Sequence, residues 1–257
     1  MLRELLVSQA LFFLLLLTRV IGFVLTSPFP GEHLPRSIKI GFALSITFFC
    51  STVAKAPAHA FALDLSLAGP VLSELGLGLV TGFAFRLLMT AADVAGDLIG
   101  QATGLGSASL YNPMSGTQET PASRVISLLA LLLMLSSGAH RVVLAYLIDS
   151  FVAIPVGAHL DFASSMPAVL DLFVQSMAVG VRLAMPVIAV SLVVQIGLGM
   201  IARIAPTLQI FNMGFAILLV ASLITLFSTL RELGAVLLQH LGQAPRVLER
   251  IFEALSG

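Results

Sequence analysis

The chain of 257 residues has no tryptophan, two tyrosines, one cysteine and few charged residues. Only 10% of its residues are charged, against about 25% in soluble domains, while 58% are hydrophobic. The single cysteine, Cys50, excludes an internal disulfide, and a formal net charge of zero gives no reason to expect a nucleic-acid partner. These values predict an integral membrane protein or a helix-rich subunit buried in a larger assembly.

Two further absences limit the classes of function that the sequence allows. Helices that face lipid usually carry Trp and Tyr at the membrane surfaces, and this chain has only Tyr111 and Tyr146, so much of its surface is expected to face protein. The sequence also lacks a P-loop, a dinucleotide-binding fingerprint, paired carboxylates and any cluster with metal-ligand spacing. Ser107 and His140 could serve as the nucleophile and base of a serine hydrolase, but Ser107 lies in a flexible run and no acid supports the pair. We therefore expect no enzymatic activity, no cofactor and no metal site.

Apolar runs of unequal length predict an all-α protein built from membrane-associated helical hairpins. The run at 38–54 is near the lower limit of about 17 residues for a span, whereas the helix at 70–105 exceeds the bilayer core. The run at 125–155 is interrupted at 136–141, which indicates a broken helix or a hairpin. The other predicted elements are helices at 5–26, 167–203 and 209–230 and an amphipathic tail at 231–257.

Several charged residues lie inside these apolar segments, where an ionised side chain needs a partner or a watery cavity. We predict that Arg19 and Arg182 face protein or a pore, with snorkelling to the membrane surface as the alternative for Arg19. Arg86 and Asp93, seven residues apart on one helix face, are expected to pair through groups of a partner. These four residues form the predicted set of buried charges.

Five glycines at helical spacing mark one predicted packing face of the long third helix. Gly78 and Gly82 are four residues apart, and so are Gly96, Gly100 and Gly104. Because small residues at this spacing let helix backbones approach closely, the face is predicted to be a tight helix contact.

The longest polar and flexible segment follows these glycines at residues 106–121. Glycines and prolines rule out a continuous helix, so the segment is either a surface loop between spans or a loop that lines or closes a conduit. In a membrane protein it lies in water, in a pore or against protein, and not bare in lipid. If the segment closes a conduit, the residues predicted to do so are Gly106, Leu110, Tyr111, Asn112, Pro113, Met114 and Pro121.

Four sets of short motifs, in an order that covers nearly the whole chain, resemble the FliR family of flagellar export-gate proteins, whose relatives serve virulence type III secretion. They are LTRV, TSP and LPRSIKIG within 17–41; AGDLIG and NP within 95–113; GAH, DSF and IPVG within 138–157; and LAMPV, RIAPTLQIF and GF within 183–215. The chain departs from the family pattern at Ala216, where proline is usual.

The resemblance implies a core subunit of the flagellar type III export gate, without catalysis, in the bacterial inner membrane at the basal body. It implies P- and Q-type partner subunits, an export switch protein of the B type and unfolded flagellar substrates passing through an axial pore. Residues 1–166 would be a P-like part and residues 167–257 a Q-like helical hairpin with its tail, together one subunit. Residues 106–121 would plug the closed pore.

A polytopic small-solute transporter is the alternative, because broken helices and intramembrane charges are also typical of that class. A transporter would be expected to show an internal repeat, and none is evident between the halves of the chain.

Overall fold

The structure is a computed structural model that describes residues 2–28, 34–54, 67–104, 120–158, 160–204 and 210–256. Regular secondary structure in these ranges is entirely α-helical apart from a single 3₁₀ residue, as the all-α prediction requires. Its helices are α1 (Leu2–Thr26), α2 (Arg36–Val53), α3 (Ala68–Ala102), α4 (Pro121–Ser137), α5 (Ala139–Ala153), α6 (Phe162–Ile204), α7 (Ile210–Leu241) and α8 (Ala244–Ser256).

Several of these helices are long and apolar enough to cross a membrane. Within the described residues five pass this test, or six if α4 and α5 together form one broken span. The interruption predicted at 136–141 is a break at Gly138, which adopts a positive φ of 75° between the two helices. Only glycine takes this backbone conformation without steric cost.

The chain divides into two compact units, each of which has its own helices. The first comprises Met1–Leu88, Gly138–Phe173 and Gln243–Gly257, and the second comprises Met89–Ser137 and Val174–Gly242. The first unit therefore contains α1, α2, α5 and α8 with the beginnings of α3 and α6. The second contains α4, α7 and the remainders of α3 and α6.

In the first unit, α1 and α3 pack with their backbones almost in contact. A Cβ atom added to Gly78 would lie 2.0 Å from the carbonyl oxygen of Arg19, and one on Gly82 would lie 2.5 Å from that of Phe23. The approach is reciprocal, because a Cβ on Gly22 of α1 would lie 2.6 Å from the Leu75 oxygen. Glycine at these positions is what allows the two helices to come this close.

The amphipathic helix α8 covers part of the first unit. Its apolar residues Leu248, Ile251 and Leu255 are buried. The Tyr146 ring of α5 stacks on Phe252 at a centroid distance of 6.4 Å, and the Tyr146 hydroxyl donates a 2.7 Å hydrogen bond to Glu249. The amphipathic tail predicted from residue 231 onwards is thus confined to residues 244–256.

In the second unit, α7 continues past Leu230, where the sequence predicted its end. It runs through Arg231 to Leu241, and Leu233, Leu237 and Leu241 are buried. The apolar stripe continues through the charged positions, so packing maintains the helix where composition predicted a boundary. In the first unit, α6 begins at Phe162 rather than at Pro167, and the Asp161 carboxylate accepts a 3.0 Å hydrogen bond from the Ala163 N–H.

Candidate functional site: a buried arginine cluster and the base of the central segment

The first candidate site is centred on Arg19, whose side chain is completely buried in the first unit. Its guanidinium donates to both carboxylate oxygens of Glu74, with 2.6 Å from Nε to Oε2 and 3.0 Å from Nη2 to Oε1. Nη1 donates to the carbonyl and hydroxyl oxygens of Ser150 at 2.9 and 3.1 Å, and Nη2 reaches the Ile154 carbonyl at 3.4 Å. An arginine has five N–H donors, and this arrangement provides an acceptor for each.

The partner carboxylate is also fully engaged. Glu74 is 2% exposed, and its Oε1 accepts a further hydrogen bond of 2.9 Å from the Gly157 N–H. Gly157 has a φ of 82° and occupies the third position of a turn closed by the Ala158 N–H donating to the Pro155 carbonyl at 3.1 Å. A turn with positive φ at this position favours glycine. The carboxylate therefore fixes the turn that follows α5.

An aromatic ring completes this site. The Arg19 Cζ lies 4.3 Å from the centroid of the Phe151 ring, within the range of a cation–π contact. We refer to Arg19, Glu74, Ser150, Phe151 and the backbone of 154–157 as the Arg19 cluster. It ties α1, α3 and α5 together through a charge pair that is buried, bidentate and hydrogen-bonded on all sides. Removing one partner of such a pair typically costs about 3–5 kcal/mol, because the other charge is left buried alone.

The other three residues of the predicted buried set are exposed on this chain. Arg86, Asp93 and Arg182 all lie on exposed helix faces. Asp93 accepts a 2.6 Å hydrogen bond from Ser127 of α4. Apolar neighbours in the sequence do not reveal which face of a helix is covered, and in α3 the buried positions are those on the other faces, such as Phe85 and Ala92. That Arg86, Asp93 and Arg182 face partner subunits or a pore stays a prediction.

The second candidate site, in the second unit, is the pair of helix ends that flank residues 105–119. On one side, α3 ends at Ala102, and Gly104 adopts a φ of 77° with its N–H donating to the Gln101 carbonyl at 3.1 Å. A glycine in the left-handed conformation just after a helix is a common helix stop. Gly104 is therefore a terminating residue and lies outside the helix, in contrast to the other four glycines of the predicted face.

On the other side, Thr120 caps α4. Its Oγ1 accepts a 3.1 Å hydrogen bond from the Ser123 N–H, and Pro121 occupies the first helical position. Both features are typical of a helix N-terminus. Pro121 was predicted to belong to the central loop, and the structure instead places it in α4.

The two flanks are packed against each other through glycine. A Cβ added to Gly100 would lie 2.1 Å from the Thr120 Oγ1, and one on Gly96 would lie 2.5 Å from the Ser123 Cα. We refer to Gly96, Gly100, Gly104, Thr120 and Ser123 as the loop base. The helices on either side of residues 105–119 are thus in direct contact at Gly96, Gly100, Thr120 and Ser123.

The remaining residues predicted for the plug lie outside the described part of the chain. They are Gly106, Leu110, Tyr111, Asn112, Pro113 and Met114. Across the described ranges, no group of three or more His, Cys, Asp and Glu side chains gathers in a way that would hold a metal ion.

Sequence reasoning missed two residues that organise these sites. Glu74 is absent from the predicted set of buried charges, although a buried Arg19 requires an anion somewhere in the fold. Thr120 was assigned to the flexible segment, although a Thr directly before a Pro and an apolar run is a signal for a helix cap.

Comparison with known proteins gives one consistent result. The profile of the family described as "Bacterial export proteins, family 1" matches residues 10–244. The chain is 31% identical over 230 residues to flagellar biosynthetic protein FliR of Escherichia coli K12, covering 88% of this chain and 86% of that protein. It is 30% identical over 219 residues to the FliR protein of Bacillus subtilis 168, with 83% and 84% covered. The FliR protein of Aquifex aeolicus is 29% identical over 242 residues, with 93% and 92% covered.

Proposed function

The chain belongs to the bacterial export proteins, family 1, and from this premise we propose that it is a core subunit of the flagellar type III export gate. As a member of this family with several helices able to span a membrane, it is a membrane-embedded component of the flagellar export apparatus. In the proposal it forms, with P- and Q-type subunits, a pore for unfolded flagellar substrates in the bacterial inner membrane, and it is contacted by the B-type switch protein. Its role is non-catalytic. Family membership favours this gate over the small-solute transporter.

In the proposal residues 1–166 are a P-like part and residues 167–257 a Q-like part. The helical hairpin of the Q-like part is supported by how α6 and α7 are joined in the second unit. Ser191 and Ser222 lie 3.2 Å apart between their hydroxyl oxygens, and the Ser176 hydroxyl lies 3.1 Å from the His240 Nε2. All four side chains are buried. Polar pairs of this kind are a common link between apolar helices, where hydrocarbon offers no other partner.

The exposed faces of the same helices support a partnered subunit. Ile204 is 82% exposed and Phe227 is 76% exposed, and Val193, Ile196 and Ile224 are also largely exposed. Apolar surface of this extent is covered by lipid or by other protein chains in a functional assembly. With no tryptophan in the chain to mark a membrane interface, neighbouring gate subunits are the proposed cover.

The observation that carries the plug proposal is the loop base. Because Gly100 and Thr120 pack together, the helices α3 and α4 that flank residues 105–119 are held by a contact of their own. The segment has one charged residue, Glu119, and its Leu110, Tyr111 and Met114 provide apolar bulk that can exclude water. A pore that passes an unfolded chain would also pass ions, so a seal of this kind is required at rest.

A deletion tests the plug directly. Residues 107–118 are replaced by a short Gly/Ser bridge, with Thr120 retained so that α4 keeps its cap. We expect the assembled complex to form in normal amount and to show increased ion conductance in planar bilayers. A matched control keeps the full length of the segment and replaces only Ser115, which is not among the predicted plug residues, with Ala, and we expect it to stay closed.

If the deletion complex assembles and its conductance is unchanged, residues 105–119 do not plug the pore. The alternative interpretation, a surface loop between spans, would then hold. A deletion that abolishes assembly would contradict the claim that the loop base holds the two helices independently of the segment.

A further inference from the structure

A groove between α1 and α2 in the first unit is not used by the proposed gate function. It encloses about 410 Å³, within the range of roughly 300–1,000 Å³ that small-molecule sites occupy. Its walls are formed by Leu17 and Ile21 of α1 and by Ile40 and Leu44 of α2. The groove is thus an aliphatic channel between two helices that are each long enough to cross a membrane.

Two cationic side chains lie at one end of this channel. Arg36 and Lys39 both line the groove and belong to the first turn of α2. Among the residues described by the structure that line the groove, they are the only polar ones. An occupant that matches the groove therefore has an anionic group at one end and an aliphatic body along the rest.

The size and polarity of the groove distinguish between possible occupants. A segment of extended polypeptide would bury backbone N–H and C=O groups against aliphatic walls without hydrogen-bond partners, at a cost of a few kcal/mol per group. A helix of about 10 Å diameter would fill this volume with roughly one turn. An acyl chain has no polar groups to satisfy and can follow the channel along its length.

The outer face of α2 is also apolar. Ile38, Phe48 and Phe49 are all more than half exposed, so the helix presents apolar side chains away from the unit as well as toward the groove. From these observations we propose that the groove binds an anionic phospholipid. Its phosphate lies between Arg36 and Lys39, and one acyl chain lies along the aliphatic walls.

The test uses the full chain, purified from membranes with the partners it carries, and measures retained phospholipid by native mass spectrometry. The bound fraction is then titrated with phosphatidylglycerol, with phosphatidylcholine and with inorganic phosphate. Removing one cation near an anionic lipid weakens binding roughly fivefold, so the double variant Arg36→Gln/Lys39→Gln should bind phosphatidylglycerol roughly thirtyfold more weakly. Arg203→Gln, which removes an exposed charge from the last turn of α6, should leave binding unchanged.

A second variant tests the aliphatic part without changing charge. Leu44→Trp fills the channel and should abolish phosphatidylglycerol retention, whereas Phe48→Trp, one turn further along α2 and outside the lining, should not. Retention of the same anionic lipid by both the charge and the channel variants would overturn the proposal. Binding of phosphatidylcholine with equal affinity, saturation by inorganic phosphate alone, or a cross-link from the groove to a protein chain in place of lipid would also overturn it.

Discussion

Replacing Arg19 with leucine is the most informative perturbation of the fold. The substitution leaves the Glu74 carboxylate, 2% exposed, with the Gly157 N–H as the one donor that remains from the Arg19 cluster. An uncompensated buried charge typically costs about 3–5 kcal/mol, a large part of the roughly 5–15 kcal/mol that stabilises a folded protein. For a chain of this size, such a loss lowers the melting temperature by roughly 6–20 °C.

The double variant Arg19→Leu/Glu74→Leu separates the charge pair from its individual members. It removes both charges and fills the space with apolar atoms, a replacement that is often neutral or stabilising for buried ion pairs. The Ser150 and Ile154 carbonyls lose a donor in this variant, so we expect it to be less stable than the parent and more stable than either single variant. Arg19→Lys keeps the charge but cannot make the bidentate contact, and should fall between the parent and Arg19→Leu.

The chain provides its own reporter for this measurement. Cys50 is the single cysteine and is completely buried, so a thiol-reactive fluorophore reports unfolding in detergent as Cys50 becomes accessible. Arg250→Leu is the matched control. Its contact with Asp171 is 4.0 Å between residues that are 69% and 58% exposed, and surface pairs of this kind contribute little.

The result that would refute the reasoning is additivity. If the double variant loses as much stability as the sum of the two single variants, then Arg19 and Glu74 contribute independently and the buried pair is not the stabilising unit. A melting temperature for Arg19→Leu equal to that of the Arg250→Leu control would refute it equally.

Three further predictions concern close contacts and interhelical hydrogen bonds. Gly78→Ala should lower the melting temperature through overpacking worth about 1–3 kcal/mol, whereas Gly41→Ala, where an added Cβ meets nothing within 4 Å, should be neutral or stabilising. Thr120→Val should destabilise α4 by about 0.5–2 kcal/mol through loss of the cap, whereas Thr120→Ser should retain the cap and most of the stability. A Val variant as stable as the Ser variant would contradict the capping role. Ser191→Ala should cost about 0.6 kcal/mol in thermal unfolding, and the double Ser191→Ala/Ser222→Ala should cost no more than this, since the hydrogen bond is removed once.

The sequence by itself determined the class of the protein and most of its helices. Composition sets the class because a chain with 10% charged residues cannot cover itself with a soluble surface. Long apolar runs predicted α1, α2 and α3 to within a few residues, since their ends coincide with Pro and Gly signals that act locally. The interruption before α5 was visible for the same reason, because the break depends on Gly138 itself.

The tertiary structure alone decided which residues meet. Arg19 and Glu74 are separated by 55 positions, and no local pattern identifies the acid that neutralises a given arginine. The continuation of α7 to Leu241 depends on Leu233 and Leu237 being buried, which composition around Arg231 does not reveal. The glycines of α3 looked alike in sequence, yet Gly78 accommodates a helix backbone, Gly100 accommodates a threonine cap and Gly104 ends the helix. Each difference follows from the neighbour that approaches the position, and that neighbour is set only when distant segments pack.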